Sequence, residues 1–468
     1  MVKFGTGGWR AIIGDEFIKS NITLLAQAVS DIINEQEQNK TVIMGFDKRF
    51  LSDKAAVWSA EVFAANGITV NFIDRPVPTP MVMFGVKSLG APYGMAVTAS
   101  HNPAEYNGIK LFTAGGRDAS KEFTDFVEEK IASVKKVSSI PFKKGVESGV
   151  IRITNLSNDY IDSILAQIDV EAIKKKNLRV LLDPMFGVSK TSLQTVLSVA
   201  RCEVNVINDR HDTLFGGKLP SPSAKTLEKL QAMVVNEGYD IGIGTDGDAD
   251  RIGIIDEKGN FVHPNRILEL LYYYFLKYKG KRGAVVRNIA TTCVLDRIAA
   301  DFGCDCIEVP VGFKHISAGM EKYDAIIGGE SSGGLTIKGH IKGKDGILAS
   351  AILVEMISVT GKKIGELLQE IDERYGEMVM VEDDLRLDEE RVARLKELLF
   401  VKKETPAFSE KVKSLCYDDG LKVRFENGGW IIVRFSGTEP LLRIFCEMPS
   451  ESAALAQNEI AKNFCKSI

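Results

Sequence analysis

The sequence lacks the features that mark membrane-spanning, secreted or nucleic-acid-binding proteins. No apolar run approaches the roughly 18 residues that a membrane span requires, and residues 1–8 contain no apolar stretch of the signal-peptide kind. The 59 Lys and Arg residues nearly balance the 63 Asp and Glu residues, for a net charge of −4. We therefore expect a cytoplasmic protein that binds neither nucleic acid nor membrane. The sequence does not indicate the oligomeric state.

Residues for soft-metal or nucleotide sites are also scarce. There are five histidines, and the seven cysteines form one close pair, Cys304 and Cys306, too tight for the usual zinc spacing. We expect reduced, mostly buried cysteines. The chain has no Walker A motif, and no Gly-x-Gly-x-x-Gly opens a helix, so the common nucleotide-binding loops are absent.

Length and composition indicate a globular protein of several domains. The chain has 468 residues, of which 45% are apolar and 26% charged, an ordinary globular composition. At roughly 150 residues per domain, the length favours about three domains.

A strand–helix–strand pattern occurs three times, over 42–74, 180–208 and 283–309. Each predicts a βαβ unit with mainly parallel pairing. After each unit, a further apolar strand runs into a polar loop that begins at Thr98, Thr245 or Gly329. Because ligands sit at the carboxyl ends of strands in open α/β sheets, these loops are candidate functional segments. The alternative is a chance likeness among ordinary α/β segments.

The C-terminal part has a different pattern and predicts a small α+β domain. A charged stretch over 382–404 has few strand signals, whereas 420–425 and 429–435 alternate like a β-hairpin. A last helix is expected after Pro449. Residues near 141–158 and 366–385 are the best candidates for linkers.

The first polar loop, 98–103, places Ser100 and His101 on a turn ending in Asn-Pro, and Lys110 follows ten residues after the serine. A serine with nearby histidine and lysine can form a nucleophile with acid/base helpers. The alternative is a Ser/Thr turn in a surface loop, which the spacing alone favours.

The second loop carries Asp246, Asp248 and Asp250 at alternate positions. Three carboxylates can converge on a hard cation such as Mg²⁺. An EF-hand would use these residues with Glu257, but it requires glycine where this chain has Arg251, and it requires helical rather than strand-like flanks. The other alternative is that residues 246–251 form a solvated acidic turn without a metal.

Two further loops suit a phosphorylated polyol. Residues 434–440 offer a guanidinium, two hydroxyls and glycine-exposed backbone N–H groups, which suit a phosphate; a capped helix N-terminus is the alternative. Residues 329–334 offer a carboxylate and hydroxyls that can bind vicinal sugar hydroxyls, although a plain turn fits equally. Taken together, the loops favour phosphoryl transfer between a serine and a sugar phosphate, without ATP as donor.

These four loops, in this order, resemble the α-D-phosphohexomutase family, which includes phosphoglucomutase, phosphomannomutase and phosphoglucosamine mutase. The resemblance extends from 5–10 to 434–443. It implies an α/β fold in which three similar mixed α/β domains and a C-terminal α+β domain surround a central cleft. The expected domains span 1–143 with the phosphoserine loop, 150–256 with the metal loop, 257–367 with the sugar loop, and 375–468 with the phosphate loop.

The resemblance also implies a role for each matching residue. The metal site for Mg²⁺ would comprise Asp246, Asp248, Asp250 and an oxygen of phosphorylated Ser100. The catalytic group would be Ser100, the acid/base Lys110, and the helpers His101, Arg251 and Arg10. The substrate-binding group would be Gly312, Lys314, Glu330, Ser332, Arg434, Ser436, Gly437 and Thr438.

The implied activity is the interconversion of hexose 1-phosphate and hexose 6-phosphate through a phosphoserine enzyme, with hexose 1,6-bisphosphate as intermediate and activator. Many relatives carry His where this chain has Gly334, and Met or Gln where it has Ser331. These departures, with the opening Gly5–Arg10, favour glucose phosphate over the mannose and glucosamine phosphates. The alternatives are a phosphomannomutase or phosphoglucosamine mutase, a phosphatase, and a non-catalytic sugar-phosphate-binding protein.

Overall fold

The computed structural model describes residues 2–5, 7–435 and 441–467. Four β-sheets follow one another along the chain, and helices pack against each of them. Within these ranges, no helix has the length and apolar character needed to cross a membrane.

The first sheet contains eight strands: β1 (Phe4–Gly5), β2 (Gly8–Ile12), β3 (Thr41–Phe46), β4 (Thr69–Phe72), β5 (Tyr93–Val97), β6 (Tyr106–Thr113), β7 (Arg117–Asp118) and β8 (Ile151–Ile153). Their order is β1-β2-β6-β5-β3-β4-β8, with β7 beside β6. The packed helices are α1 (Lys19–Gln36), α2 (Ser52–Ala65), α3 (Thr79–Ser88), α4 (Lys121–Ser133) and α5 (Phe142–Glu147).

The second sheet contains β9 (Arg179–Asp183), β10 (Glu203–Val206), β11 (Ile241–Thr245), β12 (Ile252–Ile255) and β13 (Phe261–Val262), in the order β10-β9-β11-β12-β13. Its segment of the chain also contains α6 (Ser157–Leu165), α7 (Val170–Lys174), α8 (Lys190–Val199), a 3₁₀ turn (Phe215–Gly217) and α9 (Glu228–Glu237).

The third sheet contains β14 (Val285–Asn288), β15 (Cys306–Val309), β16 (Ile327–Gly329) and β17 (Leu335–Ile337), in the order β15-β14-β16-β17. Its helices are α10 (Pro264–Lys277), α11 (Val294–Asp301), α12 (Phe313–Lys322), α13 (Gly346–Thr360) and α14 (Ile364–Tyr375). Helix α13 is apolar on all sides and buried along nearly its whole length, and it contacts helices of both the second and third segments. It therefore holds these two sheets together around the site.

The fourth sheet is antiparallel and contains β18 (Val379–Arg386), β19 (Val412–Cys416), β20 (Leu421–Phe425), β21 (Trp430–Phe435) and β22 (Leu441–Met448). The strand order is β18-β22-β21-β20-β19. Its helices are α15 (Glu389–Lys396), which continues into a π turn (Glu397–Val401), and α16 (Glu451–Lys466).

The threefold sequence repeat is confirmed as a structural repeat. The corresponding strands lie in the orders β4-β3-β5-β6, β10-β9-β11-β12 and β15-β14-β16-β17. In each set the first three strands are parallel and the fourth is antiparallel. The expected α/β class, with three mixed α/β units and a C-terminal α+β unit, is therefore confirmed.

Two expectations about connecting segments are wrong. The stretch over 141–158 is not a free linker, because it forms α5 and then β8, which pairs with β4 of the first sheet. The stretch over 366–385 holds most of α14 and most of β18, and β18 is the strand missed in the charged segment. The four domain ranges stay a prediction. The second domain was expected to begin at residue 150, but β8 at Ile151–Ile153 belongs to the first sheet.

Candidate active site

The polar loops at the carboxyl ends of β5, β11 and β16 meet the fourth sheet at one central cleft of about 650 Å³. Parallel strands in repeated units bring these loops to the same side, as the sequence predicted. Eight of the predicted site residues line the cleft: Arg10, His101, Lys110, Arg251, Gly312, Glu330, Ser332 and Arg434.

Ser100 lies on a strained turn just behind the cleft: it is almost fully buried, whereas its neighbour His101 lines the cleft. Its φ of 54° is in the left-handed region, which is uncommon for residues other than glycine. Its backbone N–H donates to Thr98 Oγ1 at 2.8 Å, as in a Ser/Thr turn, but Thr98 and Ser100 are both buried, so the alternative of a surface loop is wrong. Its hydroxyl donates to Asp246 Oδ2 at 2.7 Å, and His101 Nδ1 lies 3.5 Å from the same oxygen of Ser100. The turn thus aims the serine at the acidic loop.

Asp246, Asp248 and Asp250 lie in the hairpin between β11 and β12 and can offer ligand oxygens within 4.8 Å of one another. Asp246 Oδ1 accepts from the backbone N–H groups of Asp250 and Arg251, both at 3.0 Å, which fixes the curl of the loop. A Cβ at Gly247 would lie 2.6 Å from the Ser100 carbonyl oxygen. Glycine therefore permits this close approach, and the flanking strands exclude an EF-hand.

The charge balance of the three aspartates suits a hard cation. Burial, followed by the charges of Asp250 and Asp248, raises the pKa of Asp246 well above its ordinary value. Asp248 Oδ1 and Asp250 Oδ1 are buried and accept no hydrogen bond from the residues that the structure describes. Buried carboxylate oxygens need a partner, and Mg²⁺ prefers such oxygens. The triad can therefore bind a metal, in agreement with the expected Mg²⁺ site.

Lys110 on β6 connects the first sheet to the acidic loop. Its Nζ donates to Asp248 Oδ2 at 2.7 Å and to Asp250 Oδ2 at 2.6 Å. Burial acts to lower the pKa of Lys110, but these two carboxylates outweigh it and raise that pKa above its ordinary value. Thr79 Oγ1 also donates to Asp248 Oδ2 at 2.7 Å. The Oδ2 atoms of both aspartates thus accept hydrogen bonds, whereas their Oδ1 atoms accept none from the described residues and can bind a ligand.

Arg10, Arg251 and His101 line the cleft beside the acidic loop. Burial and then the charge of Arg251 lower the pKa of Arg10 to about 10, so this guanidinium stays protonated at neutral pH. Burial, followed by Arg251 and Arg10, holds the pKa of His101 well below its ordinary value. The group therefore consists of two guanidinium cations and a neutral imidazole. Guanidinium groups form strong charge-assisted hydrogen bonds to phosphate oxygens.

The predicted sugar loop follows β16 and contacts the start of α12. Glu330 Oε1 accepts from the Gly312 backbone N–H at 3.0 Å, and Ser332 Oγ donates to Glu330 Oε2 at 3.4 Å. Both side chains line the cleft. Lys314 instead lines an adjoining cavity of about 210 Å³, together with Lys110. Its expected contact with substrate therefore stays a prediction.

Arg434 at the end of β21 brings the fourth sheet to the cleft. Its Nε donates to Asp419 Oδ1 at 2.9 Å, while Asp419 Oδ2 accepts from the Val311 backbone N–H at 2.8 Å. Asp419 thus links the predicted phosphate loop to the segment before α12. Ser436, Gly437 and Thr438 lie outside the described residues, so their predicted roles stay predictions.

Within the described part of the chain, sequence reasoning missed six charged residues that line the cleft: Asp118, Lys344, Glu382, Asp383, Asp384 and Arg443. Lys344 Nζ lies 3.2 Å from Asp250 Oδ2. A Cβ at Gly334 would lie 2.2 Å from Lys344 Cδ, so glycine at this position makes room for the lysine. The unusual glycine was the one sequence signal that could have indicated a neighbour here. Burial raises the pKa of the Asp118 carboxyl, which faces Lys344 and Lys110.

Four family descriptions match successive parts of the chain. They are the phosphoglucomutase/phosphomannomutase alpha/beta/alpha domains I, II and III over residues 1–138, 158–259 and 263–375, and the C-terminal domain over 379–462. Together they cover most of the chain, in the order of the four sheets.

Whole proteins with related names match over nearly their full length. A phosphoglucomutase/phosphomannomutase of Thermococcus kodakarensis is 32% identical over 96% of this chain and 95% of its own. A phosphoglucosamine/phosphogalactosamine mutase of Sulfurisphaera tokodaii is 28% identical over 96% of this chain and 95% of its own. A crystal structure from Thermus thermophilus, named as a phosphomannomutase, has a TM-score of 0.87 and 30% identity, covering 99% of both chains. The chain is therefore a phosphohexomutase, an enzyme of the isomerase class that belongs to the phosphoglucomutase/phosphomannomutase family.

Proposed function

We propose that this enzyme interconverts hexose 1-phosphate and hexose 6-phosphate, with α-D-glucose phosphate as its preferred substrate and phosphorylated Ser100 as the phosphoryl donor. The observation that supports it most strongly is the 2.7 Å hydrogen bond from the Ser100 hydroxyl to Asp246, in a cluster whose other two aspartates each have one buried oxygen that accepts no hydrogen bond from the described residues. A nucleophilic oxygen beside a divalent-cation site suits phosphoryl transfer.

In the proposed cycle, the sugar phosphate enters with its free hydroxyl toward phosphorylated Ser100. The bond from phosphorus to the serine oxygen breaks as a bond to the sugar oxygen forms, which gives a 1,6-bisphosphate. The raised pKa keeps Lys110 protonated, so we assign it the relay of a proton: it gives its ammonium proton to the departing Ser100 oxygen and takes the proton of the sugar hydroxyl in its place. The bisphosphate then turns over in the cleft, and its other phosphoryl group returns to Ser100.

The charged side chains of the cleft would stabilise this transfer by fixed positions rather than by rearrangement. Arg10 and Arg251 would bind oxygens of the transferring group, and Arg434 would bind the phosphate that is not transferred. Glu330 and Ser332 would bind sugar hydroxyls. Mg²⁺ held by Asp246, Asp248 and Asp250 would supply further positive charge to the phosphoryl oxygens.

Exchange of Ser100 for alanine tests this proposal. We expect Ser100→Ala to lose nearly all mutase activity and the phosphoryl group that intact mass detects on the wild-type protein, because no other hydroxyl can replace the nucleophile. Ser120→Ala is a matched control, since Ser120 caps helix α4 at the surface. A fully active Ser100→Ala enzyme, or a phosphoryl group located reproducibly at another residue, contradicts the proposal.

The substrate assignment needs its own measurement, because the relatives carry several sugar names. We expect the highest kcat/KM with glucose 1-phosphate among the 1-phosphates of glucose, mannose, glucosamine and N-acetylglucosamine. The support is the absence of a side chain at Gly334 and the small Ser331, where many relatives carry larger residues. A higher kcat/KM with a glucosamine phosphate would overturn glucose as the substrate and leave the mutase cycle intact. Release of inorganic phosphate in place of isomerisation would indicate a phosphatase.

A further inference from the structure

Arg49 is a fully buried cation that takes no part in the cycle proposed above, yet it binds the backbone of the Ser100 loop. Its side chain has no exposed surface. Its two Nη atoms donate to four backbone carbonyl oxygens: Ser100 at 2.7 Å, Asn102 at 2.5 Å, Pro103 at 2.8 Å and Tyr106 at 3.1 Å. One guanidinium therefore spans the whole turn that carries the serine.

Only arginine has the shape for this arrangement. Its planar group presents several donors in a rigid fork, whereas the lysine ammonium is a compact charge on a flexible stem. The turn also needs external support, because left-handed backbone at a residue other than glycine is strained and persists only where its surroundings enforce it. One of the four hydrogen bonds from Arg49 acts directly at the Ser100 carbonyl, and the other three hold the residues that follow it.

A second set of contacts holds the other side of Ser100. Asp47 Oδ1 accepts from the Arg49 backbone N–H at 2.9 Å and from the Ser52 hydroxyl at 2.7 Å. Asp47 Oδ2 accepts from Thr98 Oγ1 at 2.6 Å, and that threonine oxygen accepts the Ser100 N–H. Both backbone polar groups of Ser100 are therefore fixed by a buried network that begins in the loop after β3.

The network also reaches the second sheet. The Phe215 ring, which belongs to the 3₁₀ turn before α9, lies 4.7 Å from the Arg49 guanidinium carbon. This stacking joins the serine loop to the segment that carries the aspartates. Arg49 is thus placed to set the position of Ser100 relative to Asp246.

We propose that Arg49 is a positioning residue for phosphoryl transfer: through the Ser100 carbonyl it holds the serine in its left-handed conformation, so that the side-chain oxygen faces the acidic loop. The inference rests on the proposed role of Ser100 as nucleophile. Arg49 touches no reacting atom, so its effect should fall on the rate of transfer rather than on substrate binding.

Arg49→Lys and Arg49→Ala in the full chain test this assignment. We expect kcat to fall by about a hundredfold, the loss that a 1 Å misplacement of reacting groups can cause, with KM changed less than about threefold. Phosphorylation of Ser100 by glucose 1,6-bisphosphate, followed by intact mass, should slow to the same extent. Guanidinium ion, added to Arg49→Ala well below unfolding concentrations, should restore part of both rates, whereas lysine at position 49 should restore little.

Arg179→Lys is the matched control. Arg179 also donates to two backbone carbonyls, those of Glu237 and Gly238, and its guanidinium carbon also lies over a ring, that of Tyr239 at 4.8 Å. It lies outside the cleft, so Arg179→Lys should lower stability without changing kcat. If the Arg49 variants behave in the same way, with a lower melting temperature and wild-type kcat, Arg49 is merely structural and the proposal is wrong.

Two further results keep the test decisive. If the Arg49 variants do not fold, Thr98→Val replaces them, because it removes the acceptor of the Ser100 N–H. We expect Thr98→Val to lower kcat at constant KM. A wild-type kcat would overturn the positioning role. Wild-type enzyme that never gains a phosphoryl group at Ser100 would contradict the proposed function instead. Wild-type phosphorylation with unchanged Arg49 variants would contradict only this inference.

Discussion

A single added methyl group at Gly334 should weaken the enzyme by displacing Lys344. In Gly334→Ala the new Cβ would lie 2.2 Å from Lys344 Cδ and 2.7 Å from its Cγ, both too close for any contact. The φ of Gly334 is outside the left-handed region, so alanine adds no backbone strain. The lysine must therefore leave its present position, and with it the contact of its Nζ with Asp250 at 3.2 Å.

The expected magnitude follows from the interaction that is lost. A charge-assisted hydrogen bond contributes about 1.5–3 kcal/mol, which corresponds to a fall of about 10- to 150-fold in kcat/KM if Lys344 serves the transition state. Lys344→Met, which keeps the length of the side chain and removes its charge, should cause the same fall. Because both changes act through the same lysine, the double variant should be no worse than either single variant.

Steady-state kinetics on the three variants checks this reasoning, with Gly365→Ala as control. Gly365 lies on α14, and its nearest atom to an added Cβ is the flexible Glu257 carboxylate at 3.1 Å. Wild-type kcat/KM in Gly334→Ala would refute the steric argument. Full additivity in the double variant would show that Gly334 acts by a route other than Lys344.

Three other predictions concern the metal, the phosphate loop and the ion pairs of Glu308 between the third and fourth sheets. Chelation should abolish turnover and Mg²⁺ should restore it, and full activity in excess chelator would contradict the site. Asp248→Asn should raise the Mg²⁺ concentration needed for half-maximal activity. Glu257→Gln should not raise it, although it would be equally harmful if the loop were an EF-hand. Arg434→Ala should raise KM by about 10- to 100-fold through loss of a charge-assisted pair, while Ser100 phosphorylation measured by mass stays intact; loss of that phosphorylation in folded protein would assign the residue another role. Burial acts to raise the pKa of Glu308, but the charges of Arg287 and Lys422 outweigh it and lower that pKa to about 2. The ionised carboxylate therefore stabilises the fold by on the order of 2–3 kcal/mol above pH about 4.5. This contribution is lost as the pH falls through about 2. Glu308→Gln should lower the urea midpoint at pH 7 and lose this difference from wild type toward pH 2, and a constant difference over that range would contradict the pKa.

The repeated strands and their polar loops were predictable because local patterns determine them. Short continuous apolar runs and amphipathic helices indicated the threefold unit, and the parallel topology then brings Ser100, Asp246 and Glu330 to one side. No knowledge of tertiary contacts was needed for this step. The paired strand order in the three sheets follows from the same repeat.

The missed elements depend on contacts between distant segments. Strand β18 has acidic residues that indicate exposure, but it pairs along its whole length with β22, and Glu382 at this sheet edge lines the cleft. Edge strands tolerate such charges, so the pattern alone did not identify it. Arg49 and Lys344 likewise gain their importance from partners 51 and 94 positions away, Ser100 and Asp250, and no local spacing indicates such pairs.

The central claim is the phosphoserine cycle, and the dependence of dephosphorylated enzyme on a bisphosphate tests it most directly. Midway through each turnover Ser100 carries no phosphoryl group, so escape of the bisphosphate leaves an enzyme that only another bisphosphate can reload. Dephosphorylated protein should therefore show a lag or little activity with glucose 1-phosphate alone, and glucose 1,6-bisphosphate at micromolar concentration, on the order of typical enzyme KM values, should remove the lag. Full rate from the first turnover, in fully dephosphorylated enzyme without bisphosphate, would contradict the cycle.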